Sequence, residues 1–197
     1  MITSKMTSIN TTKMPAIYKK IPFHRLQTEG KKLLDFGCGR PQTQNLIREH
    51  LSKYGIEYVP YDPYWCTEEQ NIYAMSCIEN HLIDYFVSAN VLNVLQDEQL
   101  NEAIRNINEW GFRKEKVKTN LGDIEKVFHL GCITFISVYE GNKSGIGKLS
   151  KKDCWQRNES VFQYAYKFNS YMENKYGFKG NLWHVNHDVI TNAVLVF

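Results

Sequence analysis

The segment Lys32-Leu33-Leu34-Asp35-Phe36-Gly37-Cys38-Gly39 constrains the fold more than any other part of the chain. Its apolar run has the length of a buried strand, and the two glycines that follow permit a sharp turn. From Gln42 to Tyr54, the residues Leu46, Ile47, His50, Leu51 and Tyr54 then recur at helical spacing. Strand, tight turn and helix in that order predict the opening of a parallel α/β sheet. A glycine turn also lets a ligand approach the backbone closely, and N–H groups at a helix start suit its polar atoms.

The rest of the chain continues the alternation. Gly55 stops the helix, and Ile56 to Tyr61 alternates into a second strand closed by Asp62-Pro63. A third, weaker strand is expected within Asn71 to Ile78. Leu82 to Ala89 suits a central strand, and Asp97 opens a helix that places Leu100, Ile104, Ile107 and Trp110 on one face. Gly111 to Lys118 reads as a charged connection, followed by a short helix carrying Ile124, Val127 and Phe128. Gly131 introduces the strongest strand signal, Cys132 to Tyr139. A helix from about Glu159 to Lys175 and two strands, near Leu182 to Val185 and Val189 to Phe197, close the chain. The expected architecture is a doubly wound α/β domain with a mostly parallel seven-stranded sheet and an antiparallel C-terminal hairpin.

Length and composition bound the setting. With 197 residues and 43% hydrophobic content, residues 31–197 are read as a single domain. Residues 1–30 form a basic N-terminal arm; through Lys32 the chain holds seven Lys/Arg against one Glu. The arm reads as a solvated tail, or as a cover for a cofactor site. A net charge of +3 does not call for a surface dedicated to nucleic-acid phosphates. The five cysteines include no Cys-x-x-Cys pair and read as reduced thiols in a cytoplasm. No apolar run approaches the ~18 residues of a membrane span, so a cytoplasmic location and no membrane partner are expected.

The ligand class follows from what surrounds the turn. A dinucleotide site wants Gly-x-Gly-x-x-Gly, and here the third glycine position is Gln42. A nicotinamide oxidoreductase is therefore disfavoured. Asp35 precedes the turn instead, and Asp62 stands at the end of the second strand, where an acid can accept hydrogen bonds from ribose hydroxyls. LLDFGCGR resembles the first motif of class I S-adenosylmethionine-dependent methyltransferases, EYVPYDPYW resembles their second, and DYFVSANVLNVL their segment after the fourth strand. TKMPAIYKKIP and SVYEGNKSGIGK with WQRN extend the likeness to small, uncharacterised methyltransferases of phages and bacteria. Arg40-Pro41 replaces the third glycine often found after the first motif.

The resemblance implies a Rossmann-like methyltransferase fold, S-adenosyl-L-methionine as cofactor and methyl transfer to an acceptor the sequence does not identify. Gly37 and Gly39 would pack beneath the methionine part and Asp35 would orient its amino group. Asp62 would hold the ribose, Tyr64 would cover the adenine, and Ala89 and Asn90 would face the sulfonium. The alternative is a non-catalytic protein that binds an adenosyl ligand or a partner.

Methyl transfer is an in-line displacement that needs alignment and, for some acceptors, a base. Asn90, Tyr139 and Glu140 stand at strand ends on the expected ligand rim, Glu140 as a candidate general base and Asn90 also as a turn cap. The sequence after the fourth strand, Asn90-Val91-Leu92-Asn93, lacks the Pro-Pro-Tyr of amino-directed DNA methyltransferases. The loop from Glu140 to Asp153, with Gly141, Gly145, Gly147, Lys143, Lys148, Lys151 and Lys152, could close over an anionic substrate or simply be flexible. Trp155-Gln156-Arg157-Asn158 suits a planar acceptor or a packed helix start. His184 and His187 with Asp188 would project to opposite faces of a strand, so no metal centre is expected. Oligomeric state is open.

Overall fold

The computed structural model describes residues 13–118, 124–149, 155–178, 180, 182–186 and 188–192, with the backbone alone for 113–118 and 124–130. Lys151, Lys152, His187, the first dozen residues and the far end of the closing strand lie outside the described residues. In chain order the elements are helix α1 (Ile17–Lys20), strand β1 (Lys32–Phe36), α2 (Pro41–Ser52), β2 (Glu57–Tyr61), α3 (Glu68–Glu79), β3 (Tyr85–Ala89) and α4 (Asp97–Gly111). They continue as β4 (Phe112–Lys118), β5 (Ile124–Leu130), β6 (Ile133–Ser137), β7 (Lys148–Leu149), β8 (Trp155–Gln156), α5 (Val161–Tyr176), β9 (His184–Asn186) and β10 (Val189–Thr191).

The central sheet has six strands in the order β2-β1-β3-β6-β10-β9. Strands β2, β1, β3 and β6 are parallel, and β10 runs antiparallel to both β6 and β9. The chain is thus a mixed α/β protein with a mostly parallel central sheet, compatible with a Rossmann-like layout. The closing strands form the expected antiparallel hairpin.

Strand alternation divides the apolar residues between two cores, one on each sheet face. Leu34, Val59, Phe86, Ile136 and Ile190 face the core built with α3, α4 and α5. Leu33, Tyr58, Val87, Phe135 and Val189 face the other, which α2 closes with Ile47 and Leu51. The second core also takes Ile17, Tyr18, Ile21 and Phe23. This part of the basic arm is therefore packed against the sheet, not a solvated tail; its lysines stay at the surface while its apolar residues are 5% exposed or less.

Among the described residues the main sheet has six strands where seven were expected, because the stretch expected to supply a third strand, Asn71 to Ile78, is part of helix α3. Thr67 caps that helix and Gln70 returns the bond to the Thr67 N–H, completing a capping box. Ala74, Cys77 and Ile78 then fall on one buried face. A second difference lies between Gly111 and Leu130. The charged connection and the short helix expected there are instead an antiparallel hairpin, β4 with β5, outside the main sheet. Ile124, Val127 and Phe128 fit helical spacing by number, but Glu125 to Leu130 continues directly as strand. Strand β7, in the long loop, makes a two-residue antiparallel pair with β8, which lies just beyond it.

Candidate functional site

The sheet order reverses around β1, which has β2 on one side and β3 on the other. In open α/β sheets, ligands bind outside the carboxyl ends of strands at such a reversal. The Gly37-Cys38-Gly39 turn, Asp62 and Asn90 all lie there, at the carboxyl ends of β1, β2 and β3 respectively. The sequence-derived residues are thus brought to one rim of the sheet.

The turn and Asp62 are directly joined. Gly39 N donates to Asp62 Oδ2 at 3.0 Å, while Tyr64 N and Trp65 N donate to Oδ1 at 2.9 and 3.2 Å. Gly37 N and Cys38 N donate to the Tyr61 carbonyl at 2.8 and 3.3 Å. All three N–H groups of the turn are therefore bonded to the end of β2. Asn71 on α3 brackets Asp62 further, accepting from its N–H and donating to its carbonyl, both at 3.1 Å. Asp62 is only 7% exposed, so its carboxylate holds two turns in register. Roughly four lone-pair directions exist on a carboxylate, and three are used.

Gly37 adopts φ +76°, a conformation glycine takes at little cost. A Cβ there would stand 2.4 Å from Val91 Cγ2. Val91 thus lies against the glycine where the resemblance places the methionine part of a cofactor.

Asp35 is on the α2 face of the sheet, 1% exposed, and accepts a hydrogen bond from the Tyr58 hydroxyl at 2.8 Å. Burial pushes its pKa from 3.8 up to about 7; the nearby Tyr18 and Tyr58 hydroxyls oppose that rise, and the Asp62 charge adds to it. Tyr18 is itself fully buried, and although its hydroxyl interacts electrostatically with Asp35, it makes no hydrogen bond of good geometry. Asp35 is sealed beneath these two tyrosines. In this arrangement it does not face a ligand's amino group.

Tyr64 is half-buried beside Trp65, whose ring lies 5.0 Å from the Arg40 guanidinium. Ala89 packs partly into the second core. Asn90 is exposed with φ +59°, and its N–H donates to the Ser137 carbonyl at 2.8 Å. That left-handed turn at the end of β3 sends the chain across the rim and into Val91. Beside Asp62, an open cleft of about 610 Å³ runs between the end of β2 and α3, lined by Tyr61, Pro63, Cys66, Asn71, Ile72 and Met75 among others.

At the end of β6, Tyr139 is 63% exposed. Glu140 has both oxygens engaged: Oε1 accepts from Val161 N at 2.8 Å and Oε2 pairs with Lys143 at 2.7 Å. The Lys143 hydrogen bond, followed by the Val161 N–H, holds its pKa below the usual carboxylate range. A carboxylate committed to a helix start in this way is a weak base, so Glu140 does not have the environment of the general base expected from sequence.

The stretch Trp155 to Asn158 is a structural clasp. Gln156 Nε2 donates to the Tyr139 carbonyl at 3.0 Å, and Asn158 Nδ2 to the Ile146 carbonyl at 2.8 Å. The Trp155 ring fills the place where a Cβ on Gly147 would be. Arg157 is buried, donates to the Leu95 carbonyl at 3.1 Å and pairs with Asp97 at 2.7 Å and Glu159 at 3.0 Å. It thereby ties the start of α4 to the start of α5. These contacts pin the glycine loop and leave little of the motif to read a planar acceptor.

The sequence reading missed one feature of the site. Cys38, inside the glycine turn, and Cys66, just after the Asp62 turn, have their sulfurs 3.4 Å apart. Their separation along the chain hides the pair, although Cys38 lies in the first of the two motifs and Cys66 directly follows the second.

Comparison with protein-family models, with curated proteins and with solved structures finds no match. Among the described residues no group of three or more His, Cys, Asp and Glu could hold a metal ion, and no helix is long and apolar enough to cross a membrane.

Proposed function

We propose that the chain is an S-adenosylmethionine-dependent methyltransferase of Rossmann-like, class I type, acting on an acceptor still to be identified. The observation that carries this reading is the Gly39 to Asp62 hydrogen bond, which joins a glycine turn and an acid at the carboxyl ends of adjacent parallel strands, where the strand order reverses. The antiparallel β10 between β6 and β9 supports it as well.

The residues fit the adenosine end of this cofactor. Asp62 keeps about one acceptor direction for a ribose hydroxyl, and the cleft beside it offers apolar walls to a base. At the other end, Val91 has to turn away from Gly37 before the methionine part can lie there. The bound cofactor supplies a methyl group activated by its sulfonium. The protein's share is to align the acceptor near Asn90 and Tyr139 and to exclude water. An acceptor that is already nucleophilic suits this rim, because Glu140 is committed elsewhere.

That commitment also favours a second reading, a non-catalytic adenosyl-ligand or partner-binding protein. Incubation of the full chain with methyl-labelled S-adenosylmethionine and separate DNA, RNA, protein and small-molecule extracts tests the proposal. Label in one fraction, reduced by Asn90→Ala, supports transfer. No label in any fraction, with equal affinity for S-adenosylmethionine and its demethylated product, supports the binding-only reading.

A further inference from the structure

The two loops that meet at the rim carry a thiol each. Cys38 Sγ and Cys66 Sγ are 3.4 Å apart and share a hydrogen bond. Forming an S–S bond of about 2.05 Å needs little more than a small approach of the two side chains. The loops are already held together by the Gly39 to Asp62 bond, so that approach needs no rearrangement of the sheet.

The two sulfurs differ in access and in acidity. Cys66 is half-buried and lines the open cleft, whereas Cys38 is 5% exposed behind it. The hydrogen bond from Cys38 holds the Cys66 thiol below its ordinary value, against a smaller opposing effect of burial. The same pairing and burial push Cys38 far up. Gln44, whose amide also donates to the Gly39 carbonyl at 2.6 Å, approaches Cys66 Sγ at 3.8 Å and adds a weak donor to it. An accessible sulfur of lowered pKa with a second thiol behind it is the arrangement of an attacking and a resolving cysteine.

We propose that Cys38 and Cys66 are a reversible dithiol–disulfide site, oxidised by low-molecular-weight disulfides that enter through the cleft between β2 and α3. Cys66, having lost its proton to solvent, attacks one sulfur of the small disulfide. That S–S bond breaks, and one small thiolate leaves and is protonated. Cys38 then gives up its proton to water and attacks Cys66 Sγ, and the second small thiolate departs. The two cysteines lose two electrons and the reagent gains them as two thiols. The product is a covalent tie between the glycine turn and the Asp62 turn, and a reducing thiol reverses it. This chemistry stands whether or not the rim binds an adenosyl ligand.

The test uses the full chain with oxidised glutathione and no nucleotide, followed by alkylation of the remaining thiols and peptide mapping under non-reducing conditions. In the wild type, a Cys38–Cys66 linked peptide is expected, lost again on treatment with reduced dithiothreitol, while Cys77 and Cys132 are alkylated only after unfolding. In Cys38→Ser, glutathione is expected to remain on Cys66, because the resolving thiol is gone. In Cys66→Ser, Cys38 should resist modification while the protein is folded, and circular dichroism checks that it is. A wild type that keeps both thiols, that retains glutathione on Cys66 at plateau, or that cross-links either residue to another cysteine overturns the proposal.

Discussion

Gly37→Ala probes the glycine turn through two separable costs. At φ +76° an alanine occupies left-handed backbone space, at about 1–2 kcal/mol. Its Cβ would also lie 2.4 Å from Val91 Cγ2, a clash of the kind that costs about 1–3 kcal/mol in a packed interior. The single substitution should therefore destabilise the protein by about 2–5 kcal/mol. Val91→Ala removes both Cγ atoms and leaves only Val91 Cβ, 3.5 Å from the new methyl, an ordinary contact. In the double variant the clash is gone and the backbone cost remains. Urea unfolding of the wild type, both single variants and the double variant measures the coupling by linear extrapolation. A favourable coupling of about 1–3 kcal/mol is expected; additivity within about 0.5 kcal/mol would refute the contact between Val91 and the turn.

Asp35 gives a pH signature. Burial makes the folded protein hold its proton up to about pH 7, whereas the unfolded chain releases it near 3.8. Raising the pH through that window therefore destabilises the folded state, by about 4 kcal/mol in all. Asp35→Asn should lose this decline, and parallel pH slopes for wild type and variant would contradict the assignment. Arg157→Met strands the buried Glu159 with Lys167 as its remaining ion pair and should cost about 3–5 kcal/mol by calorimetry, Asp97 adding little because it is mostly exposed. A loss below about 1 kcal/mol would show that the clasp is not formed. Glu140→Gln should cost about 1 kcal/mol by weakening the start of α5. It should leave any transfer rate near that of the wild type; a fall of about 10²-fold at intact stability would return Glu140 to the role of base.

Much of the sheet was legible because buried parallel strands are short apolar runs with punctuation at their ends. Lys32 to Phe36, closed by Gly37, and Leu82 to Ala89, which contains β3, carry that signal in full. Helix α3 was misread because Asn71 to Ile78 is too polar to show a strong period of either kind. Thr67 and Gln70, spaced as a capping box, were the signal that could have revealed it. The β4–β5 hairpin was hidden by its charge: Arg113 to Lys116 reads as a linker, and cross-strand pairing supplies what composition does not.

At the rim, residue positions were readable and residue environments were not. Asp35, Gly37, Asp62 and Asn90 stand where the strand ends put them. Whether Asp35 faces a ligand depends on Tyr18, which the sequence assigns to a separate arm. Whether Gly37 is open depends on Val91, across the reversal in strand order. Glu140 and Arg157 are decided in the same way by groups distant in the chain, Val161, Asp97 and Leu95. A one-dimensional pattern carries burial and turns, but not the third side chain that fills a space.

The most direct test of the account is calorimetric titration of S-adenosylmethionine into the wild type and into Asp62→Asn, with thermal unfolding confirming that both are folded. Saturable one-to-one binding is expected, weakened about tenfold or more in the variant, which is the loss of about 1.4 kcal/mol. No binding by the folded wild type, or equal affinity in the two proteins, would contradict the claim that the glycine turn and Asp62 together hold an adenosyl ligand.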